Sequence, residues 1–411
     1  MNVLFVVPYV PNLVRTRPYN LIRHLAARGN RVTVLTMWAN EQERADLAHL
    51  KEICHEVHAF PMPLWQSLMK SALALPNPNT PLQSVYSWKP SLVSSIIGNN
   101  DYDVVHVEHL RGSRYGLYLK QHTNLPVVWD SVDCITHLFR QAASQSKSLK
   151  GRFRSWLDLD RTARYEGWLL DKFNHILVTS PVDREALLGL QPQGSTPAPI
   201  SVLGNGVDVE HFSPDPTIER EPATLVISGK MSYHANVTMT LYLVNEIMPH
   251  VWQQQSDAKL LVVGKDPTRE IEALAENPNI VVTGTVDALP PYLQKATVAV
   301  APITYGAGIQ NKILEAMGCE TPVVTTPHAV AALCIEADRD LLVAESPESY
   351  ANAIVSIIKD PQKQKSLGRN GRTYVEQYHH WPNVVARLET IYAEAKESSL
   401  SQASRPLSLQ K

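Results

Sequence analysis

Strand-length apolar runs alternate with helical patterns twice over in this chain, and nothing else in it constrains the fold as strongly. The first series runs Val3 to Pro8, a helix around Pro18 to Ala27, then Val32 to Thr36, Val104 to Val107, Val127 to Asp130, His175 to Thr179 and Ile200 to Leu203. The second begins after Pro222 with Leu225 to Ser228, a helix near Val237 to Gln254, then Lys259 to Val263, Ile280 to Thr283, Val298 to Ala301, another helix and Pro322 to Thr325. Continuous apolar runs belong to strands covered on both faces, so the pattern predicts an α/β chain of two wound parallel domains. The length agrees, because 411 residues exceed the roughly 250–300 at which one core stops growing. Ligands of open parallel sheets bind beyond the C-terminal strand ends, so two facing sheets would place an active site between them.

Residues 1–207 read as the first domain and 208–383 as the second. Phe212 to Pro222, with Pro214, Pro216 and Pro222, mixed charge and no periodicity, reads as a linker and hinge. Residues 61–100 break the α/β rhythm with six prolines among Trp65, Tyr86 and Trp88. They are either an acceptor-side elaboration or a surface connection with a minor core of its own. Residues 398–411, rich in Ser and Gln, are expected to be disordered.

A net charge of −2 with no Lys/Arg-rich run argues against nucleic acid as a partner. Cys54, Cys134, Cys319 and Cys334 lack paired spacing and are expected as free, buried thiols of a reducing cytoplasm. The apolar run at the N-terminus is too short for a signal segment, and no stretch reaches the ~18 residues of a membrane span. Residues 147–168 combine Lys147, Lys150, Arg152, Arg154, Arg161 and Arg164 with Phe153, Trp156, Tyr165 and Trp168. That helix could lie on an anionic membrane and meet a lipid-linked acceptor, or be an ordinary solvated helix whose Asp158, Asp160 and Glu166 dilute its charge.

Residues 305–326 carry the most chemistry. A small-residue loop opens directly into a helix with Lys312 and Glu315 one turn apart, and a short buried strand follows. The first turn of a helix has unpaired N–H groups and partial positive charge, so Gly306 and Gly308 would let a phosphate reach the amides of Ile309, Gln310 and Asn311. Lys312 would add a full charge, and Glu315 is placed to accept hydrogen bonds from a vicinal diol such as a ribose. These features together ask for a nucleoside diphosphate.

The run from Gly306 through Gly308-Ile309-Gln310-Asn311-Lys312 to Glu315-Ala316-Met317 and Pro322-Val323-Val324 resembles the donor-site signature of GT-B glycosyltransferases of family 4, in their exopolysaccharide branch. Gly204-Asn205-Gly206-Val207-Asp208, Gly229-Lys230-Met231 with Asn236, Val262-Val263-Gly264, Thr283-Gly284-Thr285-Val286 and Gly371-Arg372 follow at similar spacing. The resemblance implies two Rossmann-like domains facing across a cleft and a helix, 384–397, crossing back to the first. It also implies retaining transfer of a sugar from a nucleoside-diphosphate sugar to an acceptor hydroxyl in polysaccharide or glycolipid synthesis. No cofactor and no metal is implied, and no Asp-x-Asp motif stands at a strand end. The expected place of work is the cytoplasm, at the inner face of the membrane.

By the same resemblance Lys230 and Lys312 contact the donor diphosphate, Gly229 and Asn236 shape its site, and Val286 reads the base through its backbone. The family pattern has a second glutamate where this chain has Ala307, and a His-x-His where it has His106-Val107-Glu108-His109. Either Glu108 or His109 could then hydrogen-bond the sugar or polarise the acceptor, while His106 is expected to point into the sheet. The loop after the first strand lacks the family's glycine, so Arg15 or Arg17 could supply charge there. Asp130 and Asp133 either bind the acceptor or cap the next helix. The two departures leave a non-catalytic nucleotide-sugar-binding protein as the alternative.

Overall fold

The computed structural model describes residues 1–12, 15–94, 96, 101–145, 149–303 and 309–403, with the backbone alone over 142–145, 149–157 and 401–403. Two compact units emerge, Met1–Gly204 with Val384–Lys411, and Asn205–Asn383. The first holds a seven-stranded parallel sheet of β1 (Asn2–Val7), β2 (Arg31–Trp38), β3 (Glu56–Pro61), β4 (Val104–Glu108), β5 (Val127–Val132), β6 (His175–Val178) and β7 (Ile200–Val202). Its spatial order is β3-β2-β1-β4-β5-β6-β7. The second holds β8 (Thr224–Ser228), β9 (Lys259–Val263), β10 (Ile280–Gly284), β11 (Val298–Ala301), β12 (Val323–Thr325) and β13 (Leu342–Val343) in the order β10-β9-β8-β11-β12-β13. Order reverses beside β1 in one unit and beside β8 in the other, and those reversals locate the crevices in which wound sheets bind ligands.

The central strands β1 and β8 are apolar along their buried lengths: Val3 to Val7 and Leu225 to Ile227 are all buried. The edge strands β3 and β13 are the two that the apolar pattern does not announce. An edge strand has fewer neighbours to bury against, and β3 is exposed or half-buried along its whole length. The helix expected near Val237 begins earlier, at His234, and changes to a π-turn over Leu243–Ile247 before continuing as Met248–Gln254. Pro249 explains the turn, since it donates no N–H and its ring presses on the preceding turn.

Three organisational expectations change. The Pro-rich segment before β8 is fastened to the second unit and is no free hinge. There Glu221 N donates to Lys295 O, the Arg220 guanidinium to the Ala296 and Glu320 carbonyls, and Asp215 N to the Gln294 side chain. The C-terminal helix runs Trp381–Ala403 and so takes in Ser398 to Ala403 of the tail expected to be disordered; residues 404–411 lie outside the described residues. From Val384 onward it belongs to the first unit, where Tyr392 bonds His106, Glu389 pairs with Arg28 and Lys396 with Asp103. All four cysteines are free, but Cys334 is exposed and Cys54 half-buried, so only Cys134 and Cys319 are the expected buried thiols.

Candidate functional site

In the second unit the strand ends beside the reversal are made of glycine. Gly229 follows β8 at φ +149° and Gly264 follows β9 at φ +150°, and a Cβ on Gly264 would lie 1.8 Å from the Gly229 carbonyl oxygen. Only glycine lets the two chains approach so closely. Gly284, at φ +67°, ends β10 and accepts from Gly264 N. A Cβ on Gly229 would press on the Asn236 amide at 2.6 Å, so that glycine is also what lets Asn236 close over the strand end.

Asn236 joins the pieces. Its Nδ2 donates to Lys230 O at 3.0 Å, and its Oδ1 accepts from Lys312 Nζ at 2.6 Å. Lys312 is therefore neither solvated nor paired with Glu315, and burial pulls it down to about 8. Glu315, one turn on, is pushed by burial up to about 7, with Lys312 only partly opposing the shift. Among the described residues no hydrogen bond or ion pair reaches its carboxylate. A half-buried carboxyl without a partner is an acceptor waiting for donors. Lys230 lies 3.5 Å from Asp266 with both side chains about half exposed, a contact that leaves its ammonium accessible.

The helix itself runs Asn311–Gly318 with Gln310 at its N-cap and no side-chain cap bond, so its first amides have the unsatisfied character expected of an anion site. Asn311 Oδ1 is 3.4 Å from Asn205 Nδ2, and Ile309 is buried in the core. The Val286 side chain packs partly buried on that core. Gly306, Ala307 and Gly308 lie outside the described residues. Arg372, passed over as a site residue, holds the other end of the helix by donating to the Gly318, Val209 and Phe212 carbonyls. A cavity of about 380 Å³ lined by Arg220, Thr297 and Lys359 opens at the opposite, N-terminal strand ends; the Arg220 guanidinium is committed to backbone carbonyls, and nothing there shares the chemistry of this site.

In the first unit the reversal lies between β1 and β4, and a hydrogen bond marks it: Tyr9 OH donates to Glu108 Oε1 at 2.8 Å. Glu108 is buried, its Oε2 has no hydrogen-bond partner, and burial with the nearby Asp130 charge pushes it up to about 8. It is a neutral acid at pH 7. His109 follows at φ +64°, a strained conformation for a residue with a side chain, and Val132 at the end of β5 has φ +68°. His109 Nδ1 accepts from Arg111 N, and burial beside Arg111 lowers the imidazole to about 3. It is thus a neutral N–H donor, not a base matched to neutral pH.

Several first-unit expectations are corrected. Asp130 offers nothing to an acceptor: it is fully buried, takes both Arg17 Nε and an Arg17 terminal nitrogen on Oδ2, and caps Val132 N with Oδ1. Arg17 is thereby spent inside the sheet, and Arg15 pairs with Glu43 at 2.8 Å while lying over the Tyr9 ring. Asp133 does not cap the next helix, Ile135–Gln145; Glu166 bonds the Ile135 and Thr136 amides and Asp183 that of Cys134, while Asp133 bonds Thr179. His106 does point inward, stacked on Phe5 and bonded to Tyr392. Lys147 to Trp156 have no described side chains. Arg161 and Arg164 donate to the Leu75 and Pro78 carbonyls, so this half of the helix Leu149–Leu169 is no free basic face. Among the described residues no three His, Cys, Asp or Glu side chains are grouped to hold a metal, and no helix is long and apolar enough to cross a membrane.

Known proteins resemble the chain along both units. Residues 14–211 match the family described as Glycosyltransferase Family 4, and residues 222–360 that described as Glycosyl transferases group 1. D-inositol 3-phosphate glycosyltransferase 2 of Catenulispora acidiphila is 22% identical over 321 residues, 72% of this chain and 71% of that protein. The GDP-mannose-dependent alpha-(1-6)-phosphatidylinositol monomannoside mannosyltransferase of Mycobacterium tuberculosis is 26% identical over 46% of this chain, which spans about half of that relative (55%). Among solved structures, Anabaena Alr3699/HepE in complex with UDP superposes with a TM-score of 0.66 over 96% of this chain and 100% of its own, at 15% identity.

Proposed function

The chain is a glycosyltransferase of the family 4 and group 1 type with the two-domain GT-B fold, and from that premise we propose that its second unit holds a nucleoside-diphosphate sugar whose sugar passes to an acceptor hydroxyl. One observation carries the reading: Lys312, Asn236 and Lys230 are linked around a glycine-lined strand end, with Glu315 beside them and without a partner among the described residues. The diphosphate would lie against Lys230, Lys312 and the amides from Ile309 to Asn311, and a ribose diol against Glu315. Transfer of this kind needs a stabilised leaving group more than a covalent nucleophile. The family resemblance supports front-face attack with retention and no metal or cofactor, and Glu108 and His109, both neutral, would serve as hydrogen-bond donors on the acceptor side. The names of the inositol-phosphate and phosphatidylinositol mannoside relatives support an acceptor of the glycolipid class.

Proton linkage tests the phosphate role. A dianion beside Lys312 would hold it protonated, so its value of about 8 in the free protein rises on binding, protons are taken up near that pH, and affinity falls as pH increases above it. Titration calorimetry with the cognate nucleotide in two buffers of different ionisation enthalpy is expected to show proton uptake at about pH 8 in the wild type and none at that pH in Lys312→Met. Equal enthalpies at pH 8 would remove Lys312 from the site. Donor turnover with and without acceptor separates transferase from binding protein: nucleotide bound but never released as diphosphate would favour the non-catalytic reading, with which the burial of Glu108 agrees.

Glu108 gives a second pH test. Its folded value, about 8 against an ordinary 4.5, means that its contribution to stability is full below the lower value and lost as pH rises through the upper one. Glu108→Gln keeps the bond from Tyr9 without titrating. Its unfolding free energy is expected to match wild type near pH 5 and to exceed it near pH 9 by about 4 kcal/mol. A parallel pH dependence in both proteins would contradict a neutral Glu108.

A further inference from the structure

The helix Leu64–Ala74 is inside out. Ser67 is its buried residue, Ser71 and Lys70 are half-buried, and the Lys70 ammonium donates to Trp88 O. Leu64, Trp65, Leu68, Met69 and Leu73, with Leu75 at its end, are instead 56%, 61%, 55%, 47%, 74% and 44% exposed. At ~100° per residue these side chains cover about half the helix circumference without a polar interruption. A helix packed for water would turn that face to the core, and single exposed apolar residues need no explanation while a contiguous face of this size does.

We propose that this face lies in the surface of a membrane that carries anionic lipids. Charge selects that occupant. Residues 57–100 contain no Asp or Glu, while Lys70 and Lys89 are both present. Among the described residues neither lysine has an ion-pair partner, and the two are near enough that the Lys89 charge, after burial, depresses Lys70. Lys89 is held at the adjoining Pro61 carbonyl. Apolar side chains led by Trp and Leu, on a helix backed by two cations that no carboxylate pairs with among the described residues, form the composition of a segment lying in the headgroup layer. The turn after the helix is pinned from beneath by Arg161 on Leu75 O and Arg164 on Pro78 O, and Asp158 takes Leu82 N. The described half of the basic helix singled out in the sequence therefore supports the lipid-facing element. This surface is independent of the donor site, since lipid binding requires no sugar and either reading can fail alone.

Co-sedimentation of the full chain with vesicles tests it. Wild type is expected to pellet with phosphatidylcholine vesicles containing phosphatidylglycerol and at least ~10-fold more weakly with phosphatidylcholine alone, with binding reduced by salt. The double variant Trp65→Ser/Leu68→Ser should lose that binding by a similar factor with an unchanged melting temperature, because both side chains are exposed, and Lys89→Glu should weaken it. Wild type left in the supernatant, or a double variant that pellets as wild type does, overturns the proposal. So does equal binding to both vesicle types. A wild-type dimer in solution made monomeric by Trp65→Ser/Leu68→Ser would assign the face to a second copy of the chain.

Discussion

Gly264→Ala is expected to be the most damaging single-methyl substitution in the second unit, costing about 4 kcal/mol: roughly 1–3 for an L-residue forced to this backbone conformation and a similar amount for overpacking. The position combines φ +150° with a Cβ that would meet the Gly229 carbonyl oxygen at 1.8 Å and its carbon at 2.8 Å. Neither atom can yield alone, because Gly229 is itself at φ +149° and its N–H is bonded to Val263 O. Relief requires β8 and β9 to part at their C-terminal ends, which would displace Lys230 and Asn236. Gly29→Ala is the control. It shares a positive φ, +86°, but its Cβ would meet nothing within 4 Å, so only the conformational cost of ~1 kcal/mol remains. Denaturant unfolding of the two variants measures the difference; equal costs would mean that the close approach of the strand ends does not matter.

Glu315→Gln is expected to lower nucleotide affinity by about 100-fold, the ~3 kcal/mol of two charge-assisted hydrogen bonds to a diol, while leaving the fold as stable as wild type or more so. Burial holds the free Glu315 at about 7, above its ordinary 4.5. A raised carboxyl contributes stability below its unfolded value and loses it as pH climbs through the folded one. The ionised carboxylate is therefore a burden on the empty protein at pH 8, removed by the amide and repaid in the wild type only by a ligand. A variant that melts at or above the wild-type temperature yet binds nucleotide poorly separates function from folding. Loss of both together would make Glu315 a structural residue.

What the sequence made legible was local. The helix bearing Lys312 and Glu315 could be read because loop, first turn and carboxylate lie within a dozen residues, and buried strands showed themselves by unbroken apolar runs. Long-range pairing was not legible. Asp130 and Arg17 are 113 residues apart, and nothing beside either announces the ion pair that removes both from solution. Glu166 caps a helix start some 30 residues earlier, a task that local spacing assigned to Asp133. Glu108 and His109 were visible as a polar cluster after a strand, but their charge states depend on desolvation by the surrounding sheet. The helix Leu64–Ala74 was not legible, because residues 61–100 read only as a break in the α/β rhythm and its apolar side chains face outward instead of toward a core.

Thermal unfolding of wild type and Glu315→Ala against UDP, GDP, ADP and their common sugar conjugates tests the donor site most directly. Ligand that binds only the folded chain stabilises it by RT ln(1 + [L]/Kd), about 2.7 kcal/mol at ~100 times Kd. One nucleotide and its conjugates are expected to raise the wild-type midpoint and to leave that of Glu315→Ala in place. No shift with any of them, or equal shifts in both proteins, would contradict a nucleotide held by Lys312, Asn236 and Glu315.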